Sequence, residues 1–146
     1  MSTFALAEQS FNHLMLSGRL ISELARSRST LRATTERSGQ VVIVSAGGEL
    51  DASNEATWRR LLSEAAAAAG PPGPLVIDIG GVDFMACCAY AALGEEAERC
   101  RRRGVEIRLV SNQPHVARII GACGLSELLP VDSSMDAALS MCVLVD

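Results

Sequence analysis

The chain contains no lysine: all 13 of its basic residues are arginine. Set against 17 acidic residues they leave a formal net charge of -4, which argues against a nucleic acid or an anionic membrane surface as partner. Aromatic residues make up only 3% of the chain, so there is little ring surface on which bases stack, and the core has to be assembled from Ala, Val, Ile and Leu. No run approaches the roughly 20 apolar residues of a membrane span. The start, Met1-Ser2-Thr3-Phe4-Ala5-Leu6, lacks a basic segment leading into an apolar stretch, so no secretory leader is expected. The five cysteines form neither a C-x-x-C pair nor a Cys/His cluster of zinc spacing. A reduced, cytoplasmic protein without metal or cofactor is the expectation.

What is present is one domain's worth of core. At 146 residues and 49% apolar content the chain suits a single domain and is too apolar for a disordered one. Residues 1–29 stand apart as an N-terminal extension, flexible or carrying a short helix from about Ala7 to Arg26. From Thr30 the pattern is regular. Leu31 to Glu36, the turn Ser38-Gly39 and Val41-Val42-Ile43-Val44 read as a hairpin. Ser53 or Asn54 caps a helix through Trp58, Leu61 and Leu62 that ends at Gly70-Pro71-Pro72-Gly73. Leu75 to Ile79 is a nearly continuous apolar run, as in a strand buried on both faces. It is followed by Gly80-Gly81 and by a helix from about Ala89 to Arg103 with Leu93, Ala97 and Cys100 inside. Val105 to Val110 alternates as a strand with one exposed face, Pro114 opens a helix through Ile120, and a short strand and last helix complete the chain. The order β-β-α-β-α-β-α-β-α predicts an α/β fold, a mixed or mostly parallel sheet with right-handed crossovers. Sites then gather at the carboxyl ends of strands, which should bring Glu49-Leu50-Asp51 close to Cys87-Cys88.

Cys87 and Cys88 sit where a helix begins. Orphan N–H groups and the helix dipole there stabilise a thiolate, so the pair is either a reactive switch or two small residues filling space. Other chemistry is poorly served. The residues six beyond the two cysteines are Leu93 and Gly94, so no phosphate-gripping Arg follows at cysteine-phosphatase spacing. His115 as base for a thiol hydrolase has no third group or oxyanion hole beside it. Gly47-Gly48 and Gly80-Gly81 are too short for a phosphate loop and read as turn glycines. Asp78, inside an apolar strand, is expected to accept from nearby backbone N–H groups. Arg101-Arg102-Arg103 reads as a solvated helix end. No complete active site emerges, so the chain is read as a non-enzyme.

These segments together resemble the STAS domain of anti-sigma factor antagonists, over roughly residues 30 to 144. The carriers are Gly48-Glu49-Leu50-Asp51, Val76-Ile77-Asp78-Ile79-Gly80-Gly81-Val82-Asp83-Phe84-Met85, Gly124-Leu125, Leu128-Leu129-Pro130-Val131 and a late Ala-Leu. The resemblance implies a STAS-like mixed sheet of four to five strands with about four helices packed on it, spanning residues 30–146, and no catalysis. It further implies a histidine-kinase-like anti-sigma factor as partner, whose capture frees a sigma factor. In the family a serine of an Asp-Ser-Ser-Gly motif is phosphorylated to end binding, because the dianion fits poorly in the interface.

Here Ala86, Cys87, Cys88 and Ala89 occupy those four positions. A serine kinase cannot use Cys88, so the resemblance implies a member without the phospho-switch, either constitutive or controlled by thiol oxidation. Cys123 is the candidate disulfide partner of Cys87 or Cys88. Closing a loop of some 35 residues is worth roughly 3 to 4 kcal/mol, but a helix of about 13 Å running away from the sheet edge argues against that contact, and Cys100 is the other candidate for Cys123. By position in the family, the partner surface comprises Glu49, Asp51, Ser53, Asn54, Met85, Ala86, Ala89 and Tyr90, with Glu95, Glu96 and Arg99 on the exposed face of the next helix. A monomer or weak dimer is expected. The alternative is a STAS subunit of a stress-sensing assembly or a small-ligand sensor.

Overall fold

The computed structural model describes residues 12–13, 16–25 and 30–145. Strand β1 (Asn12–His13) and helix α1 (Gly18–Leu24) precede β2 (Arg32–Ser38) and β3 (Val41–Leu50). Then follow α2 (Glu55–Ala68), β4 (Leu75–Met85), α3 (Cys87–Arg102), β5 (Ile107–Val110), α4 (Pro114–Ala122), β6 (Val131–Asp132) and α5 (Met135–Val145). The sheet order is sequential, β1 to β6. β1, β2 and β3 pair antiparallel, and β3, β4, β5 and β6 pair parallel. The mixed α/β sheet is thus as expected, and the elements beyond five strands and four helices, β1 and α1, come from the N-terminal extension.

A strictly sequential order with right-handed crossovers sends every connecting helix to the same face. Trp58 and Leu61 of α2, Leu93 and Ala97 of α3 and Val116 and Ile120 of α4 accordingly share one buried cluster with Val44, Ile77 and Leu109 of the sheet. The opposite face carries a smaller cluster, Ile43, Val76 and Val110 under Ala138 of α5. Strand β5 is therefore covered on both sides. Arg108, expected on an exposed face, is buried and paired with Asp132 and Glu106, each at 2.7 Å.

The extension docks on α2. Ser17 caps α1 by accepting from the Leu20 N–H at 3.2 Å, and its own N–H and O–H donate to Glu64 at 2.8 and 2.7 Å. Leu20 is fully buried, and Glu23 pairs with Arg60. The helix is shorter than Ala7 to Arg26: Asn12–His13 is paired to Glu36 and Arg37 as a strand, and residues 1–11, 14–15 and 26–29 lie outside the described residues.

Two further expectations change. Gly47-Gly48 and Gly80-Gly81 are not turns but lie inside β3 and β4, where the register shifts between Ser45 and Gly47 and between Gly48 and Glu49. A Cβ on Gly47 would stand 3.2 Å from the Gly81 carbonyl oxygen, so the two strands approach closely only without side chains. Arg103 is not merely solvated. Its guanidinium donates to the carbonyls of Ala66 and Ala69, at 2.9 and 3.2 Å, closing the end of α2.

Candidate functional site

The carboxyl ends of β3 and β4 form the site's floor. Leu50 pairs with Met85, and the Ala86 N–H donates to the Leu50 carbonyl at 2.8 Å. This brings Glu49-Leu50-Asp51 against the start of α3, as the strand pattern predicted. The turn after β3 is tightly tied. Asp51 accepts from the Ser53 N–H at 2.9 Å and the Ser53 hydroxyl at 2.5 Å, and these bonds, the hydroxyl's first, hold its carboxyl below the usual range. Asn54 stands at the start of α2 without capping it. Its amide turns back instead, accepting from the Asp51 N–H at 3.0 Å and donating to the Glu49 carbonyl at 2.8 Å.

Helix α3 begins at Cys87, two residues earlier than expected, so both cysteines lie in its first turn. Ala86 offers no side-chain cap, and the helix start is fixed from below instead: the Trp58 indole N–H donates to the Ala89 carbonyl at 3.2 Å. The four described thiols differ. Cys87 and Cys123 are exposed, Cys88 is half-buried and Cys100 lies in the core. Burial, and then the Glu55 carboxylate beside it, push the Cys88 thiol up rather than down; burial does the same to Cys100. The helix dipole does not prevail at Cys88, because desolvation and a neighbouring negative charge both oppose ionisation. Cys87 and Cys123 should therefore be labelled first by iodoacetamide at pH 8, with Cys88 and Cys100 lagging by roughly tenfold or more. Site-resolved mass spectrometry checks the order.

Cys87 and Cys123 line one groove of about 630 Å³ between α3 and α4. Both thiols lie within electrostatic reach of the Tyr90 hydroxyl, which is raised chiefly by its own burial. Leu125, just beyond α4, packs against the middle of α3, where a Cβ on Gly94 would stand 2.9 Å from its side chain; the four described cysteines are all free thiols. Cys100 does not border this groove.

The predicted partner residues divide by exposure. Glu49, Ser53, Glu95 and Arg99 are exposed, and Asp51, Met85 and Ala86 are partly so. Asn54, Ala89, Tyr90 and Glu96 are buried. Glu96 was expected on the exposed face, but α3 turns it inward, and Arg99 neutralises it at 2.8 Å. Glu95 is held by Arg59 at 2.6 Å, which lowers its pKa. His115 is exposed and borders a smaller hollow beside Phe84 and Met85, apart from Cys87. Asp78 accepts from the Gly80 N–H at 2.8 Å, as expected of it. Among the described residues no three His, Cys, Asp or Glu side chains group as metal ligands, and no helix is long and apolar enough to cross a membrane.

Residues 32–138 match the STAS domain family. The chain is a STAS-domain protein. This STAS protein is 56% identical over 124 residues to Rv2638 of Mycobacterium tuberculosis, named as a candidate anti-anti-sigma factor, covering 85% of this chain and 84% of that one. It is 54% identical over 112 residues to the anti-sigma-F factor antagonist RsfA of Mycobacterium tuberculosis, covering 77% of this chain and 88% of that one. Among solved structures, an anti-sigma factor antagonist from Mycobacterium paratuberculosis superposes with a TM-score of 0.68 at 25% identity, covering 81% of this STAS protein and 97% of that chain.

Proposed function

We propose that this STAS protein is a cytoplasmic anti-sigma factor antagonist that binds a histidine-kinase-like anti-sigma factor, and that Cys87 and Cys123 switch it by oxidation. The relatives' names support the antagonist reading, and the resemblance of the sequence motifs suggests the kind of partner. One observation carries the switch: Cys88, in a Cys87-Cys88 pair, stands where the resemblance puts the phosphorylatable serine, and the two thiols exposed among the described residues, Cys87 and Cys123, line the same groove. Neither Ala86 nor Ala89 restores the Asp or Gly that accompanies a phosphorylated serine.

In the reduced state the start of α3 presents its thiols to the partner. Hydrogen peroxide oxidises one thiol to a sulfenic acid with release of water. The second thiol attacks that sulfur, the S–O bond breaks, and a second water leaves with the disulfide. Both protons and both electrons are thereby accounted for. A bond across the groove ties α3 to the end of α4 and reshapes the surface a partner meets.

The test uses the Mycobacterium tuberculosis anti-sigma-F factor as probe. Reduced wild type is expected to bind, peroxide-treated wild type to bind at least roughly tenfold more weakly, about 1.4 kcal/mol, and the variants Cys87→Ser and Cys123→Ser to be insensitive to peroxide. Equal binding by oxidised and reduced protein overturns the switch, and no binding by either overturns the antagonist reading. Phosphate incorporated at residues 85–90 by a kinase and ATP would show that the phospho-switch survives.

A further inference from the structure

The groove between α3 and α4 is larger than a thiol switch requires. On its α3 wall Cys87, Ala91, Gly94 and Glu98 recur at helical spacing along one flank. On the other wall stand Ile119 and Cys123 at the end of α4, followed by Leu125 and Leu128. Cys87, Ala91 and Gly94 facing Ile119, Leu125 and Leu128 leave a mostly apolar trough, with Tyr90 and Glu95 also on its α3 side. From Cys87 to Glu98 it runs about 16 Å, the length of three helical turns.

The two charged residues that line the groove are both paired. Glu95 is neutralised by Arg59 at 2.6 Å, and Glu98 by Arg101 at 2.6 Å with Arg102 at 3.6 Å. A charged ligand would have to break one of these pairs to be held by the lining itself, whereas uncharged apolar side chains lose nothing on entering. The trough also has a direction. Its first residues, Met85 and Cys87, adjoin the Asp51–Asn54 turn, since Leu50 pairs with Met85. A protein seated at the start of α3 therefore adjoins the trough.

We infer that this groove receives the apolar face of an amphipathic helix of the anti-sigma partner, with i, i+3/i+4 and i+7 side chains filling it between Cys87 and Glu98. The inference rests on the antagonist reading and adds a second contact to it, on the side of α3 toward α4. It also explains how a bond between Cys87 and Cys123 acts: it crosses the trough and occupies the space the partner's side chains need.

Two measurements with reduced protein and the Mycobacterium tuberculosis anti-sigma-F factor decide the matter. Ala91 is exposed on the groove wall, so Ala91→Glu adds a charge there without disturbing the core. It is expected to weaken binding at least tenfold with an unchanged melting temperature, while Ala67→Glu, on an exposed position of α2, has no such effect. In the wild-type complex, alkylation of Cys123 by iodoacetamide is expected to slow at least tenfold. If Ala91→Glu binds as wild type does, or if Cys123 reacts at its free rate while Cys87 is protected, the partner covers only the start of α3 and the groove assignment falls while the antagonist reading stands. If wild type does not bind, both fall. Protection of Cys123 in the chain alone, rising with its own concentration, assigns the groove to a second copy and likewise overturns the inference.

Discussion

Alanine in place of Gly48 is expected to cost about 4 kcal/mol or more, enough to leave much of the chain unfolded. Gly48 has φ +93°, and a Cβ there would fall on the Thr30 carbonyl oxygen, deep inside van der Waals contact. Neither atom has an easy retreat. Gly48 lies at a register shift between β3 and β4, and the Thr30 hydroxyl donates to the Glu49 carbonyl at 3.4 Å. Gly39→Ala separates the two contributions. Gly39 also has a positive φ, 61°, but open space around its Cα, so that variant is expected to lose only about 1–2 kcal/mol from backbone strain. Urea denaturation of both variants provides the comparison. A Gly48→Ala midpoint as close to wild type as that of Gly39→Ala would show that the Thr30 segment yields. Because Glu49 and Asp51 follow directly, any surviving Gly48→Ala protein should also present a displaced partner surface.

The second large effect is at Trp58. The ring is fully buried, and large-to-small replacement at such a position costs about 3–5 kcal/mol, so Trp58→Ala should be strongly destabilised. Trp58→Phe is the informative variant. It retains most of the apolar volume and removes the indole N–H that reaches the Ala89 carbonyl, a loss of about 1–2 kcal/mol. Ala89 directly follows Cys88, so releasing this tether should loosen the first turn of α3 and speed alkylation of Cys88 while leaving Cys123 unchanged. Equal Cys88 rates in Trp58→Phe and wild type would mean that the helix start is held by other contacts.

Much of the frame was readable from the residues because it depends on local patterns. The β-branched runs and the helix stripe of Leu93, Ala97 and Cys100 have the periods of their elements, and all three stripe residues are fully buried. Pro114 opens α4 and Gly124, at φ 73°, follows its last turn. The meeting of Glu49-Leu50-Asp51 with the start of α3 followed from parallel strands ending at one edge. Where reading failed, a distant neighbour overrode a local preference. Asn54 has the chemistry of a cap, yet its amide is engaged by Asp51 and Glu49. Glu96 has the charge of a surface residue, yet α3 rotates it inward, where Arg99 meets it. Gly80-Gly81 resembles a turn, yet β4 continues through it because β3 presents its own glycines alongside.

The sequence by itself determined that this is an α/β STAS domain, that two adjacent cysteines stand where a helix begins, and that no lysine and few aromatic rings are present to grip a nucleic acid. Only the tertiary structure decided how the described thiols differ in exposure and surroundings. Cys88 is held back by burial and by Glu55, Cys100 is enclosed, and Cys87 and Cys123, 36 positions apart by their numbering, line one apolar groove. Periodicity reports which face of an element is apolar. It does not report which other element covers that face, because that depends on how α4 lies along α3.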